Sequence, residues 1–477
     1  MSKTLHTDLC IIGAGSGGLS VAAGAAQLGK KVVLIEHGKM GGDCLNYGCV
    51  PSKALLTAAG VAQTIKKGRD FGVHAGALEV DYGAAMDHVH RAIATIAPHD
   101  SQERFEGLGC TVLRDTAKFT GPRQVTAGDT VVNAKFIIVA TGSSPFVPPI
   151  PGLADVPFLT NETLFENRTK PDHLLVIGGG PIGIEMAQAH ARLGSAVTLI
   201  EAGPTIMGND DPELVAVVRE NLTREGITIL ENTKAMAVSQ SVDGSITVTL
   251  DGDGPEEVSG SHLLMAVGRR ANTQSLDLAA AGVNANNRGI EVNDFLQTSN
   301  DRVYAIGDVA GSLQFTHVAG YHASLIIRNL LFKLSKGRNK ASEISPWVTY
   351  CDPELAHVGM SEAQAQASGN TFNVQRWSFD ENDRAIAEAG TAGLVKVITA
   401  KNGKVLGASI VGKNAGDLIQ PWALAVANGQ KIKAFTNYIA PYPTRGEASK
   451  RVAGAFFTET LFSARTKGVV KLLSMFD

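Results

Sequence analysis

The sequence is short of several things, and each shortage excludes a class of protein. Among 477 residues there are only five cysteines, too few and too scattered for a disulfide scaffold. No run of about 18 apolar residues occurs, so a membrane-spanning helix is not expected. The first residues, Met1 to Asp8, show no cationic start followed by an apolar run, so no secretory leader is expected and the cytoplasm is the default. There is no basic excess either. Lys and Arg number 43 against 46 Asp and Glu, a net charge of −3, which gives no reason to expect a nucleic-acid partner. Glycine, by contrast, is plentiful at 52 residues in a chain 44% hydrophobic and 19% charged. That composition suits a globular α/β protein with many tight strand-to-helix turns, and the length implies two to four domains.

Two segments look like copies of each other. One runs from Asp8 through the apolar Leu9–Ile12 into Gly13-Ala14-Gly15-Ser16-Gly17-Gly18 and closes at Val32–Glu36. The other runs from His173 through Leu174–Ile177 into Gly178-Gly179-Gly180-Pro181-Ile182-Gly183 and closes at Val197–Glu201. In both, 23 residues separate the first glycine from the acid. Each piece has a physical task. Gly13 and Gly178 permit the tight turn, Gly15 and Gly180 let the backbone approach a pyrophosphate, and Gly18 and Gly183 let helix pack on strand. The helix N-terminus offers N–H groups and positive dipole to the phosphates. Glu36 and Glu201 are placed to accept hydrogen bonds from a ribose diol. Two dinucleotide sites are therefore expected. At Glu201 an acid favours a 2′-OH over a 2′-phosphate, and the following Ala202-Gly203-Pro204-Thr205 brings no cation, so NADH is expected over NADPH.

The proline-rich Pro145 to Pro151 marks a boundary before the second copy. The spans read as 1–150, 151–271, a return to the first domain over 272–345, and a mixed α+β domain over 346–477. The last is marked by alternating strands such as Leu394–Ile398 and helical stretches at 415–429 and 447–461.

Cys44 and Cys49 enclose four residues in Gly41-Gly42-Asp43-Cys44-Leu45-Asn46-Tyr47-Gly48-Cys49-Val50-Pro51-Ser52-Lys53. Such a pair suits half of a metal site or a redox disulfide. No second Cys or His pair lies nearby to complete four ligands, so no metal is expected. A short local disulfide in a reducing compartment, next to a dinucleotide site, is easily reduced and suits catalysis. Cys10, Cys110 and Cys351 read as small buried apolar residues.

These motifs resemble the class I pyridine nucleotide–disulfide oxidoreductases, the family of glutathione reductase, dihydrolipoamide dehydrogenase and mercuric reductase. The resemblance covers essentially the whole chain. Ala140-Thr141-Gly142, Val267–Asn272 with Gly268, Tyr304–Asp308 and Asp352–Gly359 look like further family signatures. The implied fold has two Rossmann-like domains, for FAD and then NAD, and a C-terminal α+β dimerisation domain. The resemblance implies one non-covalent FAD per subunit and a homodimer. It makes Cys49 the thiol facing the flavin, Cys44 the thiol facing the substrate, and Lys53 with Glu185 an ion pair beside flavin N5. Thr141, Gly142 and Asp308 become FAD contacts, and Ala117 is counted with them.

One departure limits the analogy. Disulfide reductases of this family carry His-Pro-x-x-x-Glu as acid–base, with the His supplied by the partner subunit. This chain has Tyr442-Pro443-Thr444-Arg445-Gly446-Glu447, which keeps Glu447 and puts a phenol of pKa about 10 where the base belongs. Mercuric reductase-like proteins also carry Tyr there, and the chain resembles that branch most. Yet Val470–Asp477 holds no Cys pair to capture mercury. The expected reaction runs from NADH through FAD to the Cys44–Cys49 disulfide and on to a small thiol, metal or other acceptor. Dihydrolipoamide dehydrogenase is the alternative. The basic, apolar tail is expected to pack on its own dimer rather than touch a membrane.

Overall fold

A computed structural model describes residues 3–311, 313–332 and 337–475; Phe476 and Asp477, at the end of the tail, lie outside the described residues. The chain divides into two units, Met1–Ile206 with Glu225–Ser342, and Met207–Arg224 with Glu343–Asp477.

The first unit is built around two sheets with parallel central strands. Strand β1 (Lys3–Ile12) leads through helix α1 (Ser16–Gln27) to β2 (Val32–Ile35). Parallel neighbours extend this pair, Cys110–Leu113 beside β2 and Thr130–Val139 beside β1. Thr130–Val139 then forks. Its first half pairs antiparallel with Gln124–Ala127, and its last residues pair parallel with Val303–Ala305. After β2 and before Cys110–Leu113 the chain forms helix α2 (Cys49–Lys67), which starts at the second cysteine. The second sheet repeats the plan with β3 (His173–Ile177), α3 (Pro181–Arg192) and β4 (Ala196–Ile200), flanked in parallel by His262–Met265 and Thr228–Leu230. Helix α4 (Thr316–Ile326) packs on α1. The central strands read as unbroken apolar runs because parallel strands are buried on both faces. Leu9 to Ile12 and Leu174 to Val176 are all buried.

The second unit is a five-stranded antiparallel sheet in the order Pro346–Thr349, Glu354–Gly359, Val405–Gly412, Leu394–Ala400, Phe372–Ser378. Trp422 anchors its core, stacked on Phe435 at 3.8 Å with Nε1 donating to Ser449 Oγ at 3.0 Å. The stretch expected as one helix over 415–429 is two, Ala415–Leu418 and Gln420–Ala427, because Pro421 supplies no N–H to continue the ladder. The stretch expected over 447–461 likewise divides into Glu447–Ala455 and Thr458–Leu461.

Residues 207–224, expected inside the second nucleotide-binding span 151–271, cluster instead with the second unit. Leu214, Val215, Val218 and Leu222 of this segment are buried, and its acids join a buried ion cluster in that unit. Lys396, with a side chain only 4% exposed, meets Asp211 at 2.6 Å, Glu213 at 2.9 Å and Glu362 at 2.6 Å. Burial alone would lower its pKa, but the three carboxylates override that and hold it above the usual lysine value. Lys396→Met would leave Asp211 buried without its cation. We expect a loss of about 3–5 kcal/mol of unfolding free energy, read by denaturant titration. A loss within about 0.5 kcal/mol would mean the cluster contributes nothing measurable to stability.

Candidate active site

The two glycine turns are near copies in space as well as in sequence. Gly13 has φ +105° and Gly178 φ +112°. A Cβ on Gly13 would meet the Ala140 carbonyl oxygen at 2.3 Å, and one on Gly178 the Ala266 carbonyl oxygen at 2.4 Å. Only glycine fits both the backbone angle and the neighbouring strand. Gly18 and Gly183 sit against the carbonyls of Gly13 and Gly178, close enough to exclude a side chain. Gly15 and Gly180 are the N-caps of α1 and α3, and neither helix start is capped by a side chain. The first-turn N–H groups are thus left to bind an anion, which fits the phosphates of a dinucleotide.

The acids match as well. Glu36 accepts from Ala14 N–H and Gly38 N–H, each at 2.6 Å. Glu201 accepts from Gly179 N–H and Gly203 N–H, each at 2.6 Å. Both oxygens of each carboxylate are oriented by main chain, and their second lone pairs remain for a ribose diol.

The cysteine pair sits against the first turn. A Cβ on Gly42 would lie 2.7 Å from the Gly15 Cα, so the cysteine loop and the phosphate turn touch through two glycines. Cys44 and Cys49 carry free thiols. Cys49 opens α2, is exposed, and has Sγ 3.3 Å from Thr316 Oγ1, at the start of α4. The two thiols influence each other's titration in opposite directions. Cys44 pulls the Cys49 thiol down to about 6 against the opposing effect of burial, helped by Thr316 and by the charge of Lys53. Cys44 moves up, through Cys49 and through burial. The direction of both shifts favours the thiolate at Cys49 over Cys44.

Lys53 is four residues after Cys49 and shares its helix face. Its Nζ donates to Glu185 Oε2 on α3 at 2.8 Å. The Glu185 side chain is 6% exposed and that of Lys53 38%, so the carboxylate anchors an ammonium that still reaches the surface beside Cys49.

Further residues close the site. Arg269 pairs with Asp43 at 3.0 Å and donates from Nε to Ser143 Oγ at 2.8 Å, and Ser143 donates to Asp308 Oδ2 at 2.5 Å. Burial raises the Asp308 pKa, against the Ser143 bond. Thr141 and Asn272 exchange side-chain and main-chain bonds at 2.7 and 3.1 Å. Gly142, at φ +65°, and Gly268, at φ +126°, turn the two adjoining segments. Ala117 is buried in the core of the first sheet, so any contact it makes with a cofactor is through main chain.

Tyr442 and Glu447 belong to the second unit. Tyr442 is 68% exposed and donates its hydroxyl to Asp383 Oδ2 at 2.7 Å. That bond and the Asp383 charge raise the phenol pKa further. Glu447 accepts from Arg451 at 2.7 Å, one turn on. Thr316, Ser143 and Asp383 carried no signal in the sequence; Asp43 and Arg269 stood within quoted motifs without a role.

The chain matches the family model described as Pyridine nucleotide-disulphide oxidoreductase over residues 7–323. It matches the one described as Pyridine nucleotide-disulphide oxidoreductase, dimerisation domain, over residues 345–453. A mercuric reductase of Lysinibacillus sphaericus is 36% identical over 454 residues, spanning 94% of this chain and 82% of that protein. A dihydrolipoyl dehydrogenase of Thermus scotoductus is 36% identical over 466 residues, spanning 95% of this chain and 98% of that protein. Among solved structures, the Cu(II) complex of the HOCl-induced flavoprotein disulfide reductase RclA from Escherichia coli aligns with TM-score 0.85 at 26% identity. The alignment covers 95% of this chain and all of that one (100%).

Proposed function

This chain belongs to the pyridine nucleotide-disulphide oxidoreductases, FAD-dependent enzymes that use NAD(P)H, and from that premise we propose that it carries electrons from NADH to the Cys44–Cys49 pair and on to a soft metal ion. The observation that carries the reading is the placement of two free thiols, with Cys49 at the start of α2, its Sγ 3.3 Å from Thr316 Oγ1, and Lys53 one turn on, its Nζ held at 2.8 Å by Glu185. The chemistry FAD supplies when bound is two-electron transfer between nicotinamide and sulfur. The protein's own groups do the rest. Gly13, Gly15 and Gly18 with α1, and Gly178, Gly180 and Gly183 with α3, receive the pyrophosphates. Glu36 and Glu201 take the ribose diols. Thr141, Gly142, Ala117, Gly268 and Asp308 line the cofactor sites. Lys53, fixed by Glu185, presents positive charge where reduction places negative charge.

The reduced pair, one thiol and one thiolate, binds a divalent soft cation through both sulfurs. Two electrons pass to the metal, the sulfur–sulfur bond re-forms, and the Cys44 proton leaves to solvent. Tyr442 supports a metal over a thiol substrate, because a phenol held protonated by Asp383 serves poorly as the base that thiol exchange needs. Mercuric reductases among the relatives, and a Cu(II) complex of RclA, favour the same class. The match to a dimerisation domain supports a homodimer. Among the described residues no helix is long and apolar enough to cross a membrane.

The test is a thiol count. Anaerobic NADH added to oxidised enzyme is expected to create two new titratable thiols per subunit. If the count does not change, the pair stands outside the electron path. Dihydrolipoamide oxidation is the second reading, favoured by the Thermus relative.

NADH preference rests on Glu201. Glu201→Ala is expected to lower kcat/KM for NADH about 10–100-fold, by removing a charged acceptor, while leaving NADPH unchanged or improved. An equal loss with both nucleotides would assign Glu201 to folding of the turn instead.

A further inference from the structure

Glu201 follows directly on β4, and the chain beyond it, Ala202 to Ile206, is held from two sides. Glu201 takes one side, with Oε1 accepting from Gly203 N–H at 2.6 Å. The residues after the strand Thr228–Leu230 take the other. Asn232 N–H donates to the Gly203 carbonyl at 2.9 Å, and Glu231 Oε1 accepts from Ile206 N–H at 2.7 Å. Glu231 is itself steadied by Thr233, whose hydroxyl donates to the Glu231 carbonyl at 2.8 Å. The Thr233 N–H donates in turn to the Glu201 carbonyl at 2.9 Å. Ile206 is fully buried, and its Cγ2 would stand 2.9 Å from a Cβ placed on Gly179. Glu201 Oε2 would stand 3.0 Å from the same point. Ile206 and the Glu201 carboxylate therefore pack side by side against the second glycine turn, and Glu231 fixes the first of them by its main chain.

We propose that Glu231 is a specificity-determining residue for the nicotinamide nucleotide, a positioning residue that acts through Ile206; this rests on the reading of Glu201 as the acid that meets the ribose. A carboxylate selects a free 2′-OH over a 2′-phosphate only while its oxygens stay aimed at the ribose. One Glu201 oxygen is committed to Gly203 N–H and the other to Gly179 N–H, so a shift of the 203–206 segment turns the carboxylate with it. Glu231 prevents that shift by holding the far end of the segment. Without its carboxylate the Ile206 N–H, part of a fully buried residue, loses its acceptor, and the segment moves to find another. The 2′-OH then loses its aligned acceptor, and a 2′-phosphate is no longer excluded as strictly.

The experiment is calorimetric binding of two redox-inert fragments, ADP-ribose and 2′-phospho-ADP-ribose, to the full-length, flavin-loaded protein. Wild type, Glu231→Ala and Glu231→Gln are compared, with kcat and KM for NADH measured beside them. Wild type is expected to bind ADP-ribose more tightly than its 2′-phosphate. Glu231→Ala weakens ADP-ribose about tenfold, as a misplaced contact does, and leaves the 2′-phosphate unchanged or tighter. The KM for NADH rises in step while kcat holds, because the nicotinamide end is untouched. Glu231→Gln keeps an amide oxygen that accepts from Ile206 N–H, so its preference returns to within about twofold of wild type. A fold defect would instead weaken both fragments alike and lower flavin content. Equal weakening of both fragments in Glu231→Ala, an unchanged preference, or a Glu231→Gln protein as impaired as Glu231→Ala overturns the role of Glu231. A wild type that binds the two fragments equally overturns the reading of Glu201 as well.

Discussion

Cys44→Ser is expected to lower metal-dependent NADH oxidation by about 10³-fold or more, in the range seen when a reacting nucleophile is removed. The variant keeps Cys49, its 3.3 Å contact with Thr316 and its helix neighbour Lys53. It removes the second sulfur, so two electrons can no longer be stored as a thiol–thiolate pair and the metal loses half of its sulfur ligands. A one-electron oxidant that draws directly on the flavin, such as ferricyanide, should still be reduced at close to the wild-type rate. This contrast separates loss of the relay from loss of the cofactor. Undiminished turnover with the metal would remove the cysteine pair from the mechanism. The same variant should also change Cys49 itself. Cys44 is the largest influence holding the Cys49 thiol near 6, so alkylation of reduced wild type should follow pH with a midpoint near 6. Below that midpoint the thiolate is protonated and alkylation slows. With a serine hydroxyl as the weaker donor, the midpoint should rise.

Tyr442→His is expected to raise dihydrolipoamide oxidation by NAD+ about 10²–10⁴-fold, the contribution typical of a positioned general base. An imidazole titrates near 6.5 and can take a thiol proton at neutral pH, whereas the phenol starts near 10. Its bond to Asp383 moves it further in the wrong direction. Glu447, which the family pattern keeps, accepts from Arg451. Slow wild-type turnover with a much faster variant would mean an intact relay built for an acceptor other than a thiol. Fast wild-type turnover would make the chain a dihydrolipoamide dehydrogenase that works without the histidine, and the metal reading would fall.

Much of this was legible before any coordinates, and the legible parts share a cause. A glycine that must adopt φ near +105° against the next strand, a second glycine capping a helix, and an acid 23 residues on form one contiguous βαβ unit. Local backbone geometry dictates such a unit, so spacing reveals it, twice over. The cysteine loop is contiguous too. The Lys53–Glu185 pair spans 132 positions and was readable only through resemblance.

What stayed illegible depends on packing between distant segments. Thr316 lies 267 positions from Cys49, and no spacing rule links them; the docking of α4 on α1 belongs to the same fold-level arrangement. The Asp43–Arg269 pair, the Ser143–Asp308 bond and the hold of Asp383 on Tyr442 have the same origin. So does the clustering of 207–224 with the second unit, where Asp211 meets the buried Lys396. The sequence by itself determined the family, the two nucleotide turns and the redox pair, because each is written in neighbouring residues. Only the tertiary structure decided which groups meet Cys49 and the Tyr442 phenol, because Thr316 and Asp383 are brought there by folding and not by spacing along the chain.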